Sequence, residues 1–451
     1  MRRAFPSTLV FLVIFLGLGA YVYFVEMERP AADDASIQKP KVFSIEADKV
    51  EEIQLKPAAG EPATVRKGTD GWTIVEPIQT PADENVARDM STNLASLEQD
   101  RIVDENATDL KSYGLEPARF DVTFRLAGEK EPRRVLLGDK NATGTGLYAK
   151  LPNDKKVFLV ATFLETTFGK GPFDLRDKTI LKFERDKVDS LELASRSGGG
   201  GAIQLTKSGA NWKLVKPVQA PADFTAVEAV LGQLQSAQML AIEPGDTTDL
   251  KKFGLDRPDV TATVGAGSTR AVLQIGAKAD DQGFFARDAS KPLVFRVGTA
   301  VADDLRKTPF DMRRKEIFEF REFNAPRFEI ARGTETRAFE RVKNPKPTEP
   351  DLWKQVAPAA KDIDSGTLSG VLTDFSNLRA EAFVDNPGPT TGLKAPFAVI
   401  TIKFDEGKKE ERVRFGRFGE DVFAERPDSP GALKVEMGKF DEAIKKLDAI
   451  Q

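Results

Sequence analysis

The sequence predicts an α+β chain: an N-terminal transmembrane helix, then three tandem homologous modules. Each module is expected to be an antiparallel sheet with one main helix and a short closing helix. Three observations carry this. Trp72, Trp212 and Trp353 are the only tryptophans in 451 residues, and they stand 140 and 141 residues apart (212 − 72 and 353 − 212). The stretch Gly71-Trp72-Thr73-Ile74-Val75-Glu76-Pro77, continuing to Pro81-Ala82-Asp83, returns as Asn211-Trp212-Lys213-Leu214-Val215-Lys216-Pro217, continuing to Pro221-Ala222-Asp223. A worn third copy begins Leu352-Trp353-Lys354-Gln355-Val356-Ala357-Pro358. Finally, a chain of this length accommodates about three domains of about 150 residues each, which agrees with the period.

Met1-Arg2-Arg3 precedes an uncharged apolar run from Thr8 to Val25. About eighteen residues lie near the lower limit for crossing a bilayer core. Arg2 and Arg3 favour a cytoplasmic N-terminus, and Tyr21, Tyr23 and Phe24 resemble an interfacial aromatic belt. The competing reading is a cleaved signal peptide with its site at Gly19-Ala20. Against it, Leu18 suits such a site poorly and the aromatics prolong the run. Residues 1–25 are therefore expected to be a cytoplasmic stub and transmembrane anchor, and residues 26–41 a linker without helical or strand period. The modules are expected at 42–179, 180–317 and 318–451.

Each module opens on a hairpin. Val50 to Leu55 alternates as a half-buried strand does, turns through Ala58 to Pro62 and returns over Ala63 to Lys67. The counterparts are Val188 to Ala194 with Ala202 to Lys207, and Phe328 to Ala331 with Arg337 to Val342. The Gly198 to Gly201 run at the second tip lacks the strand-to-helix context of a phosphate cradle and reads as a hairpin end. A helix follows, with Asp83, Asp223 and Asp364 placed as N-caps. Its apolar stripe is Val86, Met90, Leu94 and Leu97, then Ala226, Val230, Leu234 and Ala237, then Thr367, Val371, Phe375 and Leu378. Core packing explains that stripe. The register continues through Ile102, Ile242 and Phe383.

Gly114, Gly254 and Gly392, each followed by leucine, mark a turn that needs positive φ. A four-strand meander closes each module, its second strand ending at Gly138, Gly276 or Gly416. The first two modules finish on Gly171-Pro172-Phe173-Asp174-Leu175-Arg176 and Thr308-Pro309-Phe310-Asp311-Met312-Arg313. The third has no counterpart, so this element reads as the inter-module connection. Asp174 with Arg176, and Asp311 with Arg313, are placed to form a polar clamp. Surface ion pairs contribute only about 0 to 1 kcal/mol, so packing of Phe173 and Phe310 is expected to dominate the coupling.

The composition removes several chemistries. With 66 basic and 70 acidic residues, the net charge of −4 leaves no electrostatic footprint for nucleic acid. Arg313-Arg314-Lys315 and Lys408-Lys409 are too short to supply one. Cysteine and histidine are both absent, which excludes thiol and Ser-His-Asp catalysis and most zinc, copper and haem sites. Carboxylate, lysine, tyrosine and serine routes remain. The pairs Asp33-Asp34, Asp280-Asp281 and Asp303-Asp304 do not recur in register and read as solvated loop charges. No catalytic, cofactor-binding or metal-binding residues are assigned, no cofactor is implied, and an enzyme is not expected. The tryptophans either anchor the module cores or, if exposed and aligned, form a stacking platform for sugars. Their exposure decides between the two.

The anchor, the Trp72 and Trp212 motifs leading to Ala-Asp and a helix, and the motifs Tyr113-Gly114-Leu115-Glu116-Pro117 and Phe253-Gly254-Leu255-Asp256-Arg257-Pro258 before a meander resemble the bacterial family called domain of unknown function 4340. The resemblance runs from about Val42 to the C-terminus and is clearest in the first two modules. In the third, Lys361-Asp362 before the helix departs from the pattern. The resemblance implies membrane-anchored proteins similar to parts of ABC-type transport systems, including auxiliary components associated with gliding motility. It supplies no catalytic residues.

The expectation is thus a single-pass protein of the bacterial inner membrane, N-terminus cytoplasmic and modules periplasmic. It would act as a non-catalytic adaptor or scaffold subunit in a membrane complex with an ABC permease or its partners. The alternative is a cell-wall or polysaccharide-binding protein. A carboxylate-based hydrolase comes third, and would need two acids about 5 to 10 Å apart in a cleft.

Overall fold

Period-two burial builds most of this protein. The computed structural model describes residues 39–197, 201–346 and 348–450. The expected anchor, and the expected linker as far as residue 38, lie outside the described residues. Among the described residues no helix is long and apolar enough to cross a membrane.

The first module contains β1 (Val50–Pro57), β2 (Ala63–Gly68), β3 (Gly71–Glu76), β4 (Thr80–Pro81), α1 (Glu84–Ala95), β5 (Arg101–Asp104), β6 (Phe120–Leu126), β7 (Arg133–Lys140), β8 (Leu147–Lys150) and β9 (Val157–Val160). They form one sheet in the order β4-β3-β2-β1-β6-β7-β8-β9-β5, and every pairing is antiparallel. The same nine-strand order recurs in two further sheets, which run in sequence to Phe295–Gly298 and to Ala432–Val435. The described residues therefore form three antiparallel nine-stranded sheets with a few helices, an α+β architecture that is mostly β. The chain divides into two compact units between Asp177 and Lys178. The first unit contains one sheet and the second contains two.

The hairpin and the meander predicted separately are halves of one sheet. They join where β1 pairs with β6, Ile53 opposite Phe124 and Leu55 opposite Val122. The short β5 then closes the far edge against β9. Each main helix lies on one face of its sheet, and its buried stripe is Ala87, Met90, Ser91 and Leu94 in the first module. In the second it is Val227, Val230, Leu231 and Leu234, and in the third Leu368, Val371, Leu372 and Phe375 dominate. These sets follow i, i+3, i+4, i+7, the spacing of one helical face. The expected stripe shared two positions of this face in each module. Val86, Ala226 and Thr367 are half-buried on its flank, while Leu97, Ala237 and Leu378 follow the helix.

Asp83, Asp223 and Asp364 are N-caps, accepting bonds from the N–H groups of Val86 (3.2 Å), Ala226 (3.0 Å) and Thr367 (3.2 Å). Gly114, Gly254 and Gly392 have φ of 64°, 66° and 69°, each closing a 3-10 turn. Gly138, Gly276 and Gly416 do not end their strands, which continue to Lys140, Asp280 and Phe418. Glycine is required there for a different reason. A Cβ would lie only 2.1 to 2.2 Å from the carbonyl oxygens of Tyr113, Phe253 and Thr391. The two recurring glycines of each module are thus partners in one close backbone approach.

Each tryptophan sits in its own sheet's core. Trp72 packs with Ile53, Met90, Leu94 and Phe124. Trp353 belongs to a phenylalanine-rich core that includes Phe318, Phe328, Phe375, Phe415 and Phe440. There, Phe415 and Phe440 stack with centroids 4.7 Å apart.

Candidate functional site

The connecting element is a single capped turn. Pro309 opens the turn Pro309–Met312, where its missing N–H costs nothing. Asp311 accepts bonds from the Thr308 N–H and hydroxyl, both at 2.7 Å. Burial raises the Asp311 pKa, but the Thr308 bonds outweigh it and leave the carboxyl below its ordinary value. The turn then folds back on its own module: the Asp223 N–H donates to Met312 O (2.9 Å) and the Arg314 N–H to Pro221 O (3.0 Å). In the first unit the Asp83 N–H donates to Leu175 O (2.8 Å) and the Asp177 N–H to Pro81 O (3.1 Å). The Pro-Ala-Asp run and the connecting turn recur together because each holds the other.

Beyond the turn, the second unit contains a built joint between its two sheets. Arg313 is 3% exposed. Its guanidinium donates to Asp385 Oδ1 (2.7 Å), Ser429 Oγ (3.2 Å) and Pro430 O (2.7 Å), and lies 4.0 Å from the Phe383 ring centroid. Phe310 meets the same Phe383 ring at 5.5 Å. The expected Asp311–Arg313 clamp is not formed, because Asp311 is committed to Thr308 and Arg313 reaches into the third module. Phe310 remains partly exposed, so the buried cation is the principal anchor. Lys315 donates to Asp311 O (3.0 Å), and burial lowers its pKa against the pull of Asp223 and Asp311.

Beside this joint lies a cleft of about 890 Å³. Trp212, Lys213, Phe224 and Arg314 line it from the second module, and Glu319 and Lys409 from the third. Most of its charges are internally matched. Arg314 bonds Glu319 and Asp428, Glu316 pairs with Arg379 (2.8 Å), and Lys409 pairs with Asp405 (2.8 Å). A smaller cavity of about 310 Å³ adjoins Glu319 and contains Glu411. The Glu411 carboxylate accepts from the Glu319 N–H (2.8 Å) and the Phe320 N–H (3.2 Å). Burial pushes its pKa up to about 7 despite the Phe320 bond, and Asp428 adds to the rise.

The tryptophans present no stacking face, at 6%, 2% and 2% exposure for Trp72, Trp212 and Trp353. Asp280 and Asp281 pair with Arg296 (2.9 Å) and Lys278 (2.8 Å), and Asp303 with Arg306 (2.6 Å), as solvated loop charges do. Asp33-Asp34 lies outside the described residues. Sequence reasoning missed Arg313 as an anchor and Glu411 altogether. The partners of both come from far along the chain, as much as 117 residues away for Arg313.

No curated protein matches the chain. Among solved structures, the crystal structure of a DNA polymerase sliding clamp from Pseudomonas aeruginosa with ligand is similar at 8% identity, covering 87% of this chain and 92% of that one, with a TM-score of 0.15. A likeness that weak carries no argument. The family model described as Domain of unknown function (DUF4340) matches residues 72–211 and again 212–396, each match beginning on a tryptophan. Those two consecutive matches cover more than half of the sequence, and the chain belongs to the DUF4340 family.

Proposed function

We propose that this protein is a membrane-anchored, periplasmic, non-catalytic adaptor or scaffold subunit, auxiliary to an ABC-type transport system. The observation that carries the reading is the use made of the repeated motifs. The tryptophans, helix caps and connecting turns are spent on cores and joints. What remains is extended surface and a cleft beside a joint, as partner binding by tandem modules needs. The burial of all three tryptophans weighs against a glycan-stacking platform. The uncharged run Thr8 to Val25 behind Arg2 and Arg3 supports the anchor and the periplasmic placement of the modules.

Co-purification from detergent-solubilised membranes, with the N-terminal segment intact, tests the proposal. An ABC permease or its ATPase should elute with the protein. Elution alone under mild conditions, with the modules retained on peptidoglycan, would overturn it in favour of a cell-wall binder. Location has its own test. Protease added to spheroplasts should digest the modules, whereas extraction of the full-length chain by carbonate would sink the anchor.

A further inference from the structure

At one position the second module differs from the other two. In the first module the Trp72 N–H donates to Glu84 Oε1 (2.5 Å), and in the third the Trp353 N–H donates to Ser365 Oγ (2.7 Å). Both acceptors come from the first residue of the main helix. The corresponding residue of the second module is Phe224, which has no acceptor to offer and is 52% exposed. The sheet does not compensate. Lys207, opposite Trp212, sends its own N–H to Asp189 O (2.8 Å), so the backbone of Trp212 faces away from that neighbour. On the facing side the Trp212 carbonyl accepts from the Ala222 N–H (3.1 Å), but no acceptor among the described residues meets the Trp212 N–H.

A second difference adjoins the first. In the third module Lys354 pairs with Asp362 across the sheet (3.0 Å). The equivalent pair in the second module is Lys213 opposite Pro221, so the lysine has lost its counter-ion. Among the described residues, no carboxylate lies within ion-pair distance of Lys213. The acids of the cleft have other partners: Glu316, Glu319 and Asp428 are held by arginines, and Asp223 caps its helix. An unused backbone donor and an unmatched cation therefore stand at adjacent residues, and both line the cleft beside the exposed Phe224.

We propose that this cleft docks a segment of a partner protein carrying a carboxylate next to an apolar side chain. One carboxylate oxygen accepts the Trp212 N–H, as Glu84 and Ser365 do for their tryptophans. Its charge matches Lys213, and the apolar neighbour covers Phe224. This deepens the adaptor reading by giving a docking face its chemistry, and it rests on that reading only for the partner being a protein.

The test uses the full chain labelled with ¹⁵N-tryptophan. It has three tryptophan amide signals, assigned with Trp72→Phe and Trp353→Phe variants. The probe is the blocked peptide acetyl-Leu-Glu-Leu-amide, with the glutamine peptide as control. The glutamate peptide should move the Trp212 amide alone, the glutamine peptide should bind more weakly, and Lys213→Gln should weaken the glutamate peptide by up to about fivefold, the upper range for an exposed ion pair. Phe224→Ser copies the third module and should close the site, while Phe224→Ala removes the ring without supplying an oxygen and should leave the amide responsive. Serine is the apt mimic because a Cβ at Gly71 would lie 2.2 Å from Glu84 Oε1, and the second module has Asn211 there. An unmoved Trp212 amide, an equal response to both peptides, or an undiminished response in Phe224→Ser overturns the inference. A bound peptide without a co-purified transporter would instead overturn the adaptor reading and leave the site standing.

Discussion

Arg313 joins two sheets through one guanidinium, and its environment sets the cost of losing it. Its partner Asp385 is 53% exposed and can return to water, so no buried charge would be stranded. Arg313→Ala should therefore cost about 1 to 3 kcal/mol, from the lost hydrogen bonds and the contact with Phe383. Denaturant unfolding should also lose cooperativity between the second and third modules. Glu411 gives a pH signature. Its folded pKa is raised from the ordinary 4.5 to about 7, so between those values the folded state binds more protons than the unfolded one. Its contribution is thus fully favourable below about pH 4.5 and is lost as pH rises through about 7. Glu411→Gln should flatten that part of the stability–pH profile in urea titrations, and an unchanged slope would assign it to other groups.

At the scale of elements, packing fixes the helices and a close approach fixes the glycines. Leu94→Ala and Leu234→Ala each empty a fully buried site and should cost about 2 to 5 kcal/mol by denaturant unfolding. Gly416→Ala would drive a methyl into Thr391 O and should cost about 1 to 3 kcal/mol or more. Gly370, inside the helix Ser365–Ser376, has open space around it, so Gly370→Ala should stabilise by about 0.5 to 1 kcal/mol. The same contrast explains what the sequence made legible. Helix caps, helical faces and hairpins are written over a few neighbouring residues, and Asp83, Met90 and Gly114 were readable one by one. The β1–β6 pairing that fuses hairpin and meander joins Ile53 to Phe124, with no local signature. The glycine collisions depend on two strand ends meeting, which a period of two does not reveal. The site was the least legible part, because its content is a difference between aligned copies, Phe224 against Glu84 and Ser365, and not a motif.

For the whole molecule, the division at Asp177 and Lys178 makes a fragment-level prediction. A chain beginning at Lys178 should fold and retain the native fluorescence of Trp212 and Trp353, since the core of each and the Arg313 joint lie within it. A molten fragment without fixed tryptophan environments would contradict this.

The self-gripping connecting turn has a consequence for how such a chain is inherited. Because Met312 and Leu175 bond the Asp223 and Asp83 of their own modules, each of the first two repeats carries its own fastening within a single contiguous stretch of gene. Duplicating that stretch adds a finished unit and breaks no older one, which is the condition for growth by copying. Among the described residues the third repeat shows no such turn. Its final helix is tied back by Arg337, which donates to the carbonyls of Leu447 (3.0 Å) and Ile450 (2.9 Å). The first two modules share this turn and should therefore keep the closer mutual likeness.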